Sequence, residues 1–223
     1  LELEWVHGYA GLRNTANNLE CLADGTAVYY TAGVGVVYDV AAHAQRFFVG
    51  HDDDVTCLAV SHDGTMLATG CQNGAAVLWD FDTRGVVKVL QDTDTAEPPS
   101  SVVAIGWSLN GRRVVTAEEK GRIRLWNVES GACIYTTVLE SIALTVQISP
   151  CDPNVILACP NAGVPILIDV ATGEMRSITG SHTAEAPAAS TTARKRCSRR
   201  REGASECSSS YSLYHGCCFW GRA

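Results

Sequence analysis

Between Asp63 and Asp80 the chain reads DGTMLATGCQNGAAVLWD, and its order of polar and apolar positions predicts turn, strand, turn, strand. Asp63-Gly64 and Asn73-Gly74 are hairpin signals, because the tight primed turn requires positive φ at both central positions. Met66, Ala68 and Gly70 alternate with Leu67, Thr69 and Cys71 as the two faces of a strand do. Ala75 to Trp79 predicts the next strand, which closes on the pair Trp79-Asp80.

The closing pair recurs. Tyr38-Asp39 precedes Trp79-Asp80 by 41 positions, Trp126-Asn127 follows it by 47, and Ile168-Asp169 follows that by 42. The turn ahead of each pair recurs as well: Asp24-Gly25, Asp63-Gly64, Asn110-Gly111 and a degenerate Pro153-Asn154. A period of roughly 40–45 residues holding four short strands is the signature of propeller blades. In the first blade the strands are predicted at residues 17–22, 26–31, 34–40 and 44–49. The chain resembles the WD-repeat family from residue 1 to about 179. The expected fold class is all-β: a partial β-propeller of four blades at about residues 15–50, 51–92, 101–140 and 141–179. Residues 180–223, rich in Ala, Ser and Arg and without periodicity, are expected to form a disordered tail.

The WD-repeat resemblance implies a buried hydrogen-bond chain of His, Ser/Thr, a turn Asp and Trp. Its positions fall on His51, Thr69, Asn73 and Trp79. Asn73 in place of Asp removes the anionic acceptor and should weaken the chain. A metal-binding or catalytic His51 is the other reading, but no second His or Cys stands at ligand spacing. The third blade has no Gly-His pair, and Lys120 occupies its turn-acid position, so this blade is expected to lack the polar chain and rely on apolar packing.

Composition narrows the functional classes. No apolar run approaches the 18 residues that would suggest a membrane span. The opening LELEWVHGY lacks an initiating Met, which suggests a fragment or trimmed chain. The ten cysteines are expected as free thiols in a reduced compartment. The net charge of −7 divides into −11 for residues 1–179 and +4 for the tail, so the acidic blades are poor phosphate binders. No nucleophile elbow, phosphate-binding Gly loop, metal cluster or paired carboxylates suggests an enzyme. No cofactor, small-molecule substrate or membrane is expected. Rigid blades hold loops on a common face, so Asp52, Asp53, Asp54, Gln72, Glu118, Glu119 and Lys120 are the candidate partner-binding residues. In the tail, Arg194, Lys195, Arg196, Arg199, Arg200 and Arg201 form a nuclear-import or nucleic-acid patch, or a solvated linker or mistranslated exon. His215, Cys217 and Cys218 lack the paired spacing of a zinc site.

Two narrower resemblances follow. The lead-in LELEWVHGYAG, with DGTAVYY, VGVVYDV, QRFFVGH and VTCLAV, resembles the echinoderm microtubule-associated-protein-like family over residues 1 to about 70. Trp5 and Tyr9 are its large anchors; they plug the propeller edge or, as the resemblance implies, contact tubulin. Residues 64 to about 170, with GTMLATGCQNG, VLWDFDTRGVVKVL, GWSLNGRRVVTA and the ILACP…PILI pattern, resemble the retinoblastoma-binding protein five family. That resemblance implies a non-catalytic scaffold in a SET-type histone methyltransferase complex of the COMPASS kind, with complex subunits as partners and a nuclear location. The first implies a microtubule-associated, cytoplasmic or cytoskeletal propeller. A generic WD-repeat adaptor is the third reading. Direct nucleic-acid binding is expected only through the basic tail.

Overall fold

Short runs rich in Val, Ile, Thr and aromatic residues, each bounded by Gly, Asp or Asn, form the strands of the fold. The computed structural model describes residues 3–11, 17–91 and 100–179. The chain divides into two units, residues 1–181 and 182–223, and the second lies outside the described residues, as do the tail's basic cluster and its His and Cys. The first unit is all-β. Its four antiparallel sheets follow one another along the chain: β1–β4 (Leu19–Cys21, Ala27–Thr31, Val34–Asp39, Ala44–Val49), β5–β8 (Val55–Val60, Met66–Cys71, Ala76–Asp80, Val86–Leu90), β9–β12 (Val102–Trp107, Arg113–Glu118, Arg122–Asn127, Cys133–Val138) and β13–β16 (Ala143–Ile148, Val155–Pro160, Ile166–Asp169, Met175–Ser177). Each sheet runs in simple up-and-down order, so each is one blade.

The blades stack face to face, and each apolar cluster lies between two of them. Val28, Tyr30, Val37 and Phe48 of the first blade meet Leu58, Leu67 and Trp79 of the second. Cys57, Ala68 and Leu78 on the second blade's other face meet Val102, Ile105, Trp107 and Trp126. Val115, Ile123 and Leu125 meet Val146, Ile156 and Ile168 of the fourth blade. Both faces of the central blades are therefore apolar and covered, and β5 is buried along its whole length. Among the described residues the fourth blade has one face covered by another blade; on the other, the cross-strand pair Leu157 and Leu167 is half-buried.

The turns differ from expectation in one respect. Gly25, Gly64, Gly74 and Gly111 all have positive φ (85°, 71°, 85° and 66°), but the Asp or Asn before each does not. The primed two-residue turn is replaced by a wider one in which the glycine N–H bonds back three residues, as Gly64 N to Ser61 O at 2.9 Å and Gly111 N to Ser108 O at 3.0 Å. The acidic or amide side chain then accepts the N–H two residues on: Asp24 from Thr26, Asp63 from Thr65, Asn73 from Ala75, Asn110 from Arg112. This Asx bond fixes the turn without αL strain at the Asp or Asn. The recurring Asp or Asn of the closing pair has a parallel duty. Asp39, Asp80, Asn127 and Asp169 each accept a backbone N–H of the next turn, from Ala42, Thr83, Ser130 and Ala171.

Polar side chains also tie the first blade to the second and the second to the third. Tyr30 donates its hydroxyl proton to Thr56 O at 2.6 Å, Thr56 donates to Val102 O, and the Trp107 indole N–H donates to Ala59 O at 3.0 Å. Thr56 sits at an irregularity in β5, where the register shifts between Val55 and Cys57. Between the third and fourth blades the approach is backbone to backbone: a Cβ on Gly106 would lie 2.7 Å from Val146 O. Gly106→Ala should therefore destabilise the protein by about 1–3 kcal/mol through overpacking against a carbonyl that cannot step aside. Urea titration followed by Trp fluorescence checks this; an unchanged midpoint would mean that the two blades are not in such close contact.

Candidate functional site

The connections β4–β5, β6–β7 and β10–β11 emerge at one end of their sheets and carry most of the predicted contact residues. Backbone bonds clasp them: Gln72 N to Asp54 O and Glu119 N to Ser101 O, both 2.9 Å. Asp52, Asp53, Gln72, Glu119 and Lys120 are exposed and Asp54 is partly so, which leaves an acidic rim with one cation among these positions.

Glu118 does not belong to that rim. It is 1% exposed, at the end of β10, where its carboxylate accepts from Ser100 Oγ at 2.9 Å and pairs with Arg124, with Arg122 Nη1 at 3.8 Å. A carboxylate in this position points inward, and a buried charge of this kind persists only with a partner that compensates it.

Beneath the rim lies the hydrogen-bond chain of the second blade. The Trp79 indole N–H donates to Thr69 Oγ1 at 2.7 Å, and His51 Nε2 lies 2.6 Å from the same oxygen. Trp79 is fully buried, with the His51 ring 5.5 Å and the Phe48 ring 5.6 Å away, centroid to centroid. Burial pushes the His51 pKa down from its ordinary 6.5 to about 4, opposed by the Asp52 charge. The neutral imidazole is thus the folded form. Asn73 serves its own turn through Ala75 N. The structure joins His51, Thr69 and Trp79 and gives Asn73 a different role.

The third blade corrects the expectation that it lacks a polar chain. The Trp126 N–H donates to Thr116 Oγ1 at 2.9 Å, the counterpart of the Trp79–Thr69 bond. The Arg124 guanidinium, on the strand position paired with Thr116, lies 6.0 Å from the Trp126 ring and pairs with Glu118. An ion pair stands where the second blade uses His51. The signal was in the sequence: Thr116 and Trp126 stand ten apart, as Thr69 and Trp79 do.

The lead-in crosses the face of the first blade that points away from the second. The Val6 N–H donates to Gln45 Oε1 at 2.8 Å, and Gln45 Nε2 donates both to Val6 O at 3.1 Å and to Tyr29 OH at 2.9 Å. The Trp5 ring meets Tyr38 edge-on at 6.1 Å and His43 at 5.0 Å. Trp5 is thus an anchor, whereas Tyr9 is 64% exposed beside Gly8, Leu19 and Tyr29 in a shallow hollow. Among the described residues no group of His, Cys, Asp and Glu is arranged to hold a metal, and no helix is long and apolar enough to cross a membrane. Burial pushes the Cys57 thiol up to about 12, which suppresses its thiolate.

Four up-and-down blades with Trp–Thr bonds inside and Asp or Asn caps after the third strand define a WD-repeat β-propeller. Residues 25–142 match the family described as Vps8 beta-propeller, and the chain belongs to that family. Residues 1–36 match the HELP motif. The chain is 33% identical to Protein RBL of Arabidopsis thaliana over 117 residues, covering 52% of this chain and 21% of that protein. It is 33% identical to the Retinoblastoma-binding protein 5 homolog of Drosophila melanogaster over 116 residues, covering 52% and 22%. It is 29% identical to Echinoderm microtubule-associated protein-like 2 of Rattus norvegicus over 172 residues, covering 71% and 26%. The chain thus spans between a fifth and about a quarter of the length of these relatives. The solved Cps50 (Swd1) β-propeller domain of Myceliophteria thermophila is similar with a TM-score of 0.49 and 22% identity, covering 55% of this chain and 37% of that one. Both families that the sequence resembles have members among these relatives.

Two outcomes test the buried chain. Trp79→Ala should cost about 3–5 kcal/mol, as large core truncations do, and Thr69→Val about 1–3 kcal/mol, because the indole N–H loses its acceptor; denaturant titration measures both. The second concerns pH. Below 6.5 the unfolded His51 binds a proton that the folded one refuses until about pH 4. The unfolded state then binds more protons, so this contribution is complete above pH 6.5 and is lost as pH falls toward 4. His51→Gln should flatten that part of the stability–pH curve; an identical slope in the variant would show that His51 is not held neutral.

Proposed function

We propose that the chain is a non-catalytic scaffold whose loops bind protein partners, and that its complex is a SET-type histone methyltransferase assembly of the COMPASS kind. The observation that carries this reading is the similarity of about half of the chain to Protein RBL and to the Retinoblastoma-binding protein 5 homolog. The geometry is compatible with it: rigid sheets hold Asp52, Asp53, Asp54, Gln72, Glu119 and Lys120 at one end, where an acidic rim favours a basic partner segment. On this reading the protein is nuclear, and the clustered cations at Arg194, Lys195, Arg196, Arg199, Arg200 and Arg201 direct its import.

The microtubule reading has its own support in the HELP motif match at residues 1–36 and in the longer alignment with Echinoderm microtubule-associated protein-like 2. The acidic blades oppose it, because an acidic tubulin surface repels them at low salt. Tyr9 is the exposed lead-in residue through which an apolar contact would have to pass.

An affinity-tagged full-length chain should recover methyltransferase-complex subunits, and residues 1–179 should not co-sediment with microtubules. Salt-resistant co-sedimentation that Tyr9→Ala abolishes would reverse the ranking. Trp5→Ala combined with Tyr9→Ala is the stronger variant, but Trp5 also packs on the first blade, so its folding must be checked by circular dichroism.

A further inference from the structure

The chain contains two Asn-Gly pairs, Asn73-Gly74 between β6 and β7 and Asn110-Gly111 between β9 and β10. A glycine after Asn leaves its backbone nitrogen unhindered by a side chain, so that nitrogen can reach the Asn amide carbon. In both turns the glycine N–H bonds back three residues, Gly74 N to Cys71 O at 3.1 Å and Gly111 N to Ser108 O at 3.0 Å, and that bond must open before the nitrogen reacts. The surroundings separate the two pairs. Asn110 is exposed and is followed by Arg112 and Arg113. Its Oδ1 accepts from Arg112 N at 3.1 Å and lies 2.9 Å from the Ser108 hydroxyl oxygen. Asn73 is half-buried and accepts from Ala75 N at 3.0 Å. It stands in the acidic rim, where Gln72 N is bonded to Asp54 O.

We propose that Asn110 is a site of spontaneous deamidation in the folded protein and that Asn73 is protected. Gly111 N attacks Asn110 Cγ, the bond from Cγ to Nδ2 breaks, and ammonia leaves. The Gly111 N–H proton passes through solvent to the departing ammonia. Water then opens the five-membered succinimide at one carbonyl to Asp or at the other to isoaspartate. Negative charge develops on the nitrogen and on Oδ1 along the way. The donors at Asn110 Oδ1 and the two following arginines stabilise that charge. At Asn73 the carboxylates of the rim repel it. The aspartate product is one that the fold already accommodates. Asp63 holds the same turn position in the second blade, where it accepts from Ser61 Oγ at 2.6 Å and Thr65 N at 3.1 Å. Conversion places a new negative charge at the end of the blades opposite the rim, beside a hollow lined by Leu109, Pro150 and Pro153.

The test incubates the full chain in mildly alkaline buffer and follows both sites by peptide mapping with mass spectrometry, separating Asp from isoaspartate peptides by chromatography. Asn110 should convert severalfold faster than Asn73. High salt should narrow that gap by screening the arginines and the rim, and so should urea, which removes the rim. Arg112→Gln keeps the backbone N–H and lies on the surface, so it should slow conversion at Asn110, leave Asn73 unchanged and leave the far-UV spectrum as it was. Equal rates at the two sites in the folded chain, faster conversion at Asn73, an unmodified Asn110, or a rate at Asn110 that Arg112→Gln does not change overturns the proposal.

Discussion

A blade of this protein has two apolar faces, and each must be covered by something. The constraint is most severe in the second and third blades, where β5, β6, β9 and β10 are buried at nearly every position. A sheet with both faces apolar cannot be stable in water by itself, so the blades stabilise one another only as a stack. The close approach at Gly106 and the bonds from Tyr30, Thr56 and Trp107 onto neighbouring backbone follow from that stacking. The lead-in belongs to the same logic, because Trp5, Val6 and the Gln45 clamp cover a first-blade face that no other described sheet covers.

Polar groups inside such a stack must be satisfied, and the second and third blades reach that by different chemistry. In both, an indole N–H finds a Thr hydroxyl one strand away. In the second blade a neutral His51 completes the arrangement, at the cost of a pKa pushed down to about 4. In the third, a guanidinium and a carboxylate neutralise one another, with Ser100 bonded to Glu118. Removing one member of that ion pair would strand the other as an uncompensated buried charge, whereas losing His51 leaves no charge behind.

With the interior so constrained, variation is left to the ends of the strands. The backbone bonds from Gln72 N to Asp54 O and from Glu119 N to Ser101 O, with the turn bond onto Asn73, fix the loops at the rim's end, so the acidic rim is displayed by a rigid frame. The outer strands are equally accessible, and their charges differ from blade to blade.

The sequence by itself determined the repeat, the number of blades and the strand order, because period-2 alternation and Asp/Asn turn residues are local properties of the chain. It also determined the Trp79–Thr69 bond, whose partners are fixed by adjacent strands of one hairpin. Tertiary structure decided what depends on neighbouring elements. Glu118 read as a loop residue because it stands beside Glu119 and Lys120, yet strand parity turns it inward to Arg124. Asn73 read as a link of the buried chain, yet its amide is nearer the N–H of its own turn. Trp5 and Tyr9 look alike in sequence, and only the surface they cross separates an anchor from an exposed ring. The physical reason is the same in each case. Hydrogen-bond period and turn chemistry are fixed within a few residues, whereas burial is fixed by whichever blade or segment lies against the side chain.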